Sequence, residues 1–241
     1  MTLMLRSAAV SDPGLIRSGN QDAVHAGSWL LAVADGMGGM AAGDLASAIA
    51  IQAIARVDIE LPDEALVPAL RGAVEAASAG IRDAVAEDPS RQGMGTTLTA
   101  LLISATGTRV ALAHVGDSRA YLLRDGALRQ VTRDDTFVQM LVDEGVITPE
   151  QAINHPRRAV VTQAIQGERI DPAYLVAEPR QGDRWLLCSD GLSNVVRADT
   201  LAATLSSYPD RQDCAKRLVD LALRAGGPDN ITVVVADIEE G

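Results

Sequence analysis

Five aspartates in this 241-residue chain stand where a carboxylate is costly to keep. Asp35 ends Leu30-Leu31-Ala32-Val33-Ala34, Asp117 follows Ala113-His114-Val115-Gly116, and Asp190 follows Leu186-Leu187-Cys188-Ser189. Asp229, in Pro228-Asp229-Asn230, precedes the run Ile231-Thr232-Val233-Val234-Val235, and Asp22 closes Arg17-Ser18-Gly19-Asn20-Gln21-Asp22. A carboxylate at a strand end is expensive to desolvate unless something pairs with it. Taken singly, Asp-Gly after a strand is an ordinary turn. Repeated and converging, without matching Arg or Lys, such carboxylates require a cation. An all-oxygen ligand set suits Mg2+ or Mn2+, whereas His25, His114 and His155 lack zinc-ligand spacing. Arg17, just ahead of Asp22, can overhang the same cleft and grip two phosphate oxygens with its planar fork. The competing reading for Arg17 is a surface arginine.

These residues need elements that bring strand ends together. Short apolar runs predict strands over 4–10, 29–34, 97–104, 110–115, 120–124, 174–177, 184–188 and 231–237. Asp125-Gly126 predicts a tight hairpin into 127–131. Apolar stripes at helical spacing predict helices over 43–57, 63–87 and 210–224, with short helices at 136–144 and 149–154. Strands come in blocks and two long helices follow one another, so the order favours a mixed α+β layered sandwich over a doubly wound sheet.

The length suits one large domain. With 47% hydrophobic and only 2% aromatic residues, the core must be aliphatic and alanine-rich. A net charge of −11 argues against nucleic acid, since phosphate-backbone binders need a basic face. It is compatible with phosphorylated substrates once cations occupy an acidic cleft. Cys188 and Cys214 form no CxxC; Cys188 reads as a buried small hydrophobe and no disulfide is expected. No apolar stretch is long enough to span a bilayer, and 1–10 shows no signal-peptide pattern. Covalent phosphatase chemistry finds no support: six positions beyond Cys188 and Cys214 stand Asn194 and Asp220, not Arg. Gly-x-Ser-x-Gly and phosphate-cradling Gly-x4-Gly-Lys-Ser/Thr loops are absent too.

Six motifs in order then resemble one family. They are the Arg17–Asp22 segment, Asp35-Gly36-Met37-Gly38-Gly39, Gly93-Met94-Gly95-Thr96-Thr97, Val115-Gly116-Asp117-Ser118-Arg119, Ser189-Asp190-Gly191 and Gly227-Pro228-Asp229-Asn230. Over 8–237 the chain resembles the bacterial metal-dependent type 2C serine/threonine protein phosphatases. The resemblance implies an α+β fold, a four-layer α-β-β-α sandwich of two antiparallel sheets flanked by antiparallel helices. It implies one catalytic domain over 1–241 with a flap at about 134–167. Asp35 would bridge two Mn2+ or Mg2+ ions, with the Gly36 carbonyl on one of them. Asp190 and Asp229 would complete the pair, Asp22 would act nearby through water, and Asp117 would help hold a third, weaker ion. Arg17 would bind the substrate phosphate while water activated between the ions attacks phosphorus in line. Phosphorylated proteins, and an opposing bacterial serine/threonine kinase, are the implied partners. A monomer in the cytoplasm is expected, tethered at the inner membrane face if the product continues beyond residue 241.

Four positions depart from family habit. Gln21 replaces a frequent Glu, Met37 a histidine of eukaryotic members, Met40 a frequent bacterial histidine, and Asn194 an additional aspartate of eukaryotic members. Gln21 and Asn194 bear on metal affinity. Met37 and Met40 bear on the leaving-group acid, a role then expected of water. The competing expectation, favoured by Gln21, is a catalytically impaired module that binds phosphoproteins.

Overall fold

The structure is a computed structural model that describes residues 2–38 and 42–241. Gly39 and Met40 of the motifs above lie outside the described residues, as do Met1 and Ala41.

In chain order the strands are β1 Leu3–Asp12, β2 Asp22–Ala26, β3 Leu30–Met37, β4 Gly95–Thr96, β5 Leu98–Ile103, β6 Val110–Val115, β7 Arg119–Arg124, β8 Ala127–Gln130, β9 Ala173–Ala177, β10 Arg184–Cys188 and β11 Ile231–Glu240. The helices are α1 Gly43–Ile54, α2 Leu66–Glu87, α3 Phe137–Asp143, α4 Pro149–Ile153, α5 Asp190–Ser193, α6 Ala198–Ser207 and α7 Arg211–Arg224. One antiparallel sheet runs β1-β11-β10-β7-β8 and the other β2-β3-β5-β6-β9, with β4 paired to β3.

Successive strand side chains point to opposite faces, and here both faces are covered. On β11, Val233 and Val235 pack outward under α6 and α7, while Val234 and Ala236 pack inward against the other sheet. On β3, Ala32 and Ala34 join α1 and α2, while Leu31 and Val33 meet the inter-sheet core. These alternations define three cores between four layers, the sandwich that the resemblance implied. Small side chains at helix–sheet contacts let α1 and α2 lie close, as the buried Ala46, Ala50, Ala73 and Ala77 show. Trp185 is 1% exposed between the sheets. Burying a wholly apolar neighbour in the same core, such as Leu31, stabilises by about 1.5–3 kcal/mol.

The hairpin turn forms as read, with positive φ at Asp125 and Gly126 and Arg124 opposite Ala127. Four elements were not foreseen: the short β4 and α5, and also β2 and α6. β2 is an edge strand of five residues, too short to show a periodicity of its own, and its pairing with β3 makes it a strand. Helix α6 buries only Leu201, Thr204 and Leu205, a stripe too thin to stand out before it packs on a sheet.

Register sets the position of the site. Cys188, the last residue of β10, lies opposite Arg119 at the start of β7 and Val233 near the start of β11. In the other sheet Asp22, opening β2, lies opposite Asp35 near the end of β3, and Leu98, opening β5, opposite Val115, ending β6. The aspartate-bearing ends of both sheets therefore lie at one edge of the sandwich.

Candidate active site

At that edge is a cleft of ≈ 580 Å3 lined by Arg17, Asp35, Gly36, Asp117, Asp190 and Asp229, among others. Six of the seven residues singled out by sequence thus face one space. Asp22 stands beside it: the β2–β3 register puts its side chain on the same sheet face as that of Asp35, and its Oδ2 accepts from Ser189 Oγ at 2.7 Å.

Each carboxylate is placed by local chemistry. The Asp35 N–H donates to Thr97 Oγ1 (3.0 Å), and its carbonyl accepts from Thr97 N–H (2.9 Å) and Thr96 Oγ1 (3.0 Å). Gly36 must lack a side chain, since a Cβ there would fall 2.0 Å from the Gly43 carbonyl oxygen. Gly116 turns the chain after β6 with φ +101° to present Asp117. Asp190 opens α5, with Asn194 Nδ2 donating to its Oδ2 at 2.9 Å. Where a second aspartate would add charge, Asn194 thus braces the first. Arg17 Nη2 meets Asp229 Oδ2 at 2.7 Å, an ion pair with both side chains partly exposed.

The electrostatics are those of a site short of positive charge. Burial, then repulsion from Asp22, Asp190, Asp117 and Asp229, pushes the Asp35 carboxyl well above its ordinary pKa. Burial raises Asp22 to about 6, against hydrogen bonds from Ser189 and Thr232. Asp117 rises to about 7 through burial and Asp190, and Asp190 rises through burial and Asp229. Oδ1 of Asp22 and Oδ1 of Asp190 are buried without a hydrogen-bond partner, a state proteins rarely leave uncompensated.

A divalent cation fits these residues. It would partner the orphan oxygens and relieve the mutual repulsion, and an all-oxygen donor set matches Mg2+ or Mn2+. Among the described residues no three His, Cys, Asp or Glu side chains form a group that could hold a metal ion as they stand; the fit rests on the orphan oxygens and the mutual repulsion. A second cavity of ≈ 710 Å3 lies between α2 and residues 167–174. There Glu75, Glu168 and Asp171 stand among Arg71, Arg82 and Arg169, so the charges balance without a cation.

Two positioning residues appear in the motifs, but sequence alone assigned them no role. Ser189 fixes Asp22 and also accepts from Thr232 N–H at 2.9 Å. Asn230 donates from Nδ2 to the Pro13 and Gly19 carbonyls and accepts from Gln21 N–H, binding the Arg17 loop to the Asp229 turn. The signal was present, since an Asn after Pro-Asp is a side chain suited to bonding nearby backbone. Its partners lie more than 200 residues away, beyond any local pattern.

Comparison with known proteins agrees. The family described as protein phosphatase 2C matches residues 17–223. The serine/threonine protein phosphatase PstP of Mycobacterium tuberculosis is 53% identical over 238 residues, covering 99% of this chain and 46% of that protein. The chain therefore spans about half the length of that curated relative. Protein phosphatase PhpP of Streptococcus pneumoniae is 35% identical over 240 residues, covering 96% of each chain. The crystal structure of M. tuberculosis PstP/Ppp matches at a TM-score of 0.95 and 53% identity, over 98% of this chain and 100% of that one. A structure of the PstP catalytic domain with two manganese ions matches at 0.93 and 51%, over 99% and 100%. Sequence, fold and comparisons agree: the chain belongs to the protein phosphatase 2C family.

Proposed function

We propose that this chain hydrolyses phosphoserine and phosphothreonine esters in proteins, with divalent cations held among Asp35, the Gly36 carbonyl, Asp190 and Asp229. The observation that carries the reading is the set of buried, mutually repelling carboxylates with orphan oxygens beside Arg17. Bound there, two cations would lower the pKa of water towards neutrality and neutralise charge on the phosphoryl oxygens.

The chain's own residues supply position and charge. Arg17 gives Nη2 to Asp229, and its remaining N–H groups are available to phosphoryl oxygens along the cleft. Ser189 and Asn194 hold Asp22 and Asp190 in place. Asp117 borders the same cleft and would serve the weaker third ion. Without cations the acidic floor would repel a phosphate, so activity is tied to metal. Among the described residues no histidine lines the cleft, and the leaving oxygen takes its proton from water. The same proposal includes a single domain over 1–241 with residues 134–167 as a flap. It also includes a monomer opposing a bacterial serine/threonine kinase, in the cytoplasm or tethered at the inner membrane face if the product continues beyond residue 241.

A binding module without turnover is the second reading, favoured by uncharged Gln21 at the cleft wall. The deciding experiment is phosphate release from a phosphothreonine peptide after chelation, with Mn2+, Mg2+ or no metal restored. Release that needs metal and disappears in Asp35→Asn supports the phosphatase. A folded, metal-replete sample that releases nothing would refute it and favour the module.

A further inference from the structure

One carboxylate outside the proposed machinery joins the flap to the loop that presents Asp117. Asp135 sits at the start of the flap. Its Oδ2 accepts from Gly116 N–H at 2.9 Å and from Gln163 Nε2 at 3.2 Å. Its own N–H donates to the Gly116 carbonyl and its carbonyl accepts from Thr162 N–H, each at 2.7 Å. A single residue therefore pairs in both directions with the residue before Asp117. It also holds the returning leg of the flap through both side chain and backbone.

Gly116 has little room to yield. A Cβ there would fall 2.6 Å from Thr97 Cγ2, and Thr97 is the residue hydrogen-bonded to Asp35 through backbone and hydroxyl. Neighbouring contacts brace the outgoing leg: Arg119 forms a forked pair with Asp134, and His114 Nε2 donates to the Arg133 carbonyl at 3.0 Å. The returning leg is secured further along by the Thr96–Ile165 backbone pair, one strand from Asp35.

We propose that Asp135 is a positioning residue that couples the flap to the Gly116–Asp117 loop, so that neither moves independently over the cleft. Only the activity readouts below rest on the phosphatase reading. Both donors to the Asp135 side chain, the Gly116 N–H and Gln163 Nε2, converge on one oxygen, Oδ2. Asp135→Asn can place an amide oxygen there, whereas Asp135→Ala cannot.

The test uses the whole chain with Mn2+ and two readouts. The first is tryptic cleavage after the exposed Arg157 and Arg158 of the flap. The second is kcat and KM for a phosphothreonine peptide and for p-nitrophenyl phosphate. Loss of two hydrogen bonds to a charged group predicts flap cleavage about tenfold faster or more in Asp135→Ala. KM for the peptide should rise about fivefold, with that for the small ester changed less than about twofold, since the peptide extends beyond Ala159 and Val161 at the cleft and covers more of the flap. Asp135→Asn should stay within about twofold of the parent in every readout, and Gln163→Ala should open the flap about threefold. Unchanged cleavage in Asp135→Ala, equal KM changes for both substrates, or an Asn variant as impaired as the Ala variant would each overturn the coupling. Should Asp135→Ala fail to fold, Gln163→Ala decides by the same cleavage assay, and an unchanged rate there overturns it. A parent chain inactive on both substrates would sink the phosphatase reading and leave the cleavage result to judge this one.

Discussion

Asn230 offers a sharp test of how this site is held. Asn230 is 5% exposed, and its side chain makes three hydrogen bonds: Nδ2 to the Pro13 carbonyl (2.9 Å), Nδ2 to the Gly19 carbonyl (2.8 Å), and Oδ1 from Gln21 N–H (2.8 Å). At about 0.5–1.5 kcal/mol each, with partners left partly buried, Asn230→Ala should lose about 2–4 kcal/mol. For a domain of this size that is a fall in Tm of about 5–15 °C. The loop it releases carries Arg17 and the turn it leaves carries Asp229, so phosphate release should fall with stability. The isosteric Asn230→Asp is the more revealing variant. It would set a carboxylate oxygen against two carbonyl oxygens at under 3 Å, an acceptor facing acceptors, and should be no more stable than the alanine variant. Thermal unfolding with and without Mn2+, followed by peptide dephosphorylation, measures both effects. An Asp variant within about 1 kcal/mol of the parent would refute the donor role assigned to Nδ2.

Three further outcomes are expected. Asp35→Asn, besides removing activity, should leave the metal-free chain as stable as the parent or more so, because burial and four neighbouring aspartates oppose its charge; a clear loss of metal-free Tm would contradict this. Gln21→Glu should lower the Mn2+ concentration for half-maximal activity by about three- to tenfold, since it adds a negative charge at the cleft wall; an unchanged Mn2+ titration would remove Gln21 from the account of metal affinity. Asp58 links the β2–β3 turn to the end of α1, accepting from Trp29 N–H (2.8 Å), Leu30 N–H (3.1 Å) and His25 Nε2 (2.8 Å). Burial alone would raise its pKa, but those donors outweigh it and hold it below 3.8. The unfolded chain therefore takes up the proton first as pH falls. The stabilisation is complete above 3.8 and lost as pH drops through the lower folded value. Asp58→Asn should lose about 1–2 kcal/mol at pH 7 and show a shallower acid limb in stability against pH; parallel acid limbs in the two proteins would exclude the linkage.

Much of this protein was readable before folding because its signals are local. The runs before Asp35 and Asp190 and the run after Asp229 are strands, since a stretch apolar on both faces must lie between two layers. Asp125-Gly126 makes its turn because that backbone demands positive φ. The aspartates were conspicuous because charge beside an apolar run is costly whatever the fold. Tertiary structure decided what depends on distant pairing. β2 is a strand because Asp22–Ala26 lies along β3, and that register alone puts Asp22 opposite Asp35. Ser189 reaches Asp22 across 167 residues of chain, and Asn230 reaches Gly19 across 211. Hydrogen bonds of that span leave no periodicity to read. Local residue order sets which side chains are costly to bury and which elements carry them. Only the packing of two sheets face to face, with their aspartate-bearing ends at one edge, brought those costs to one point, where a cation can offset them.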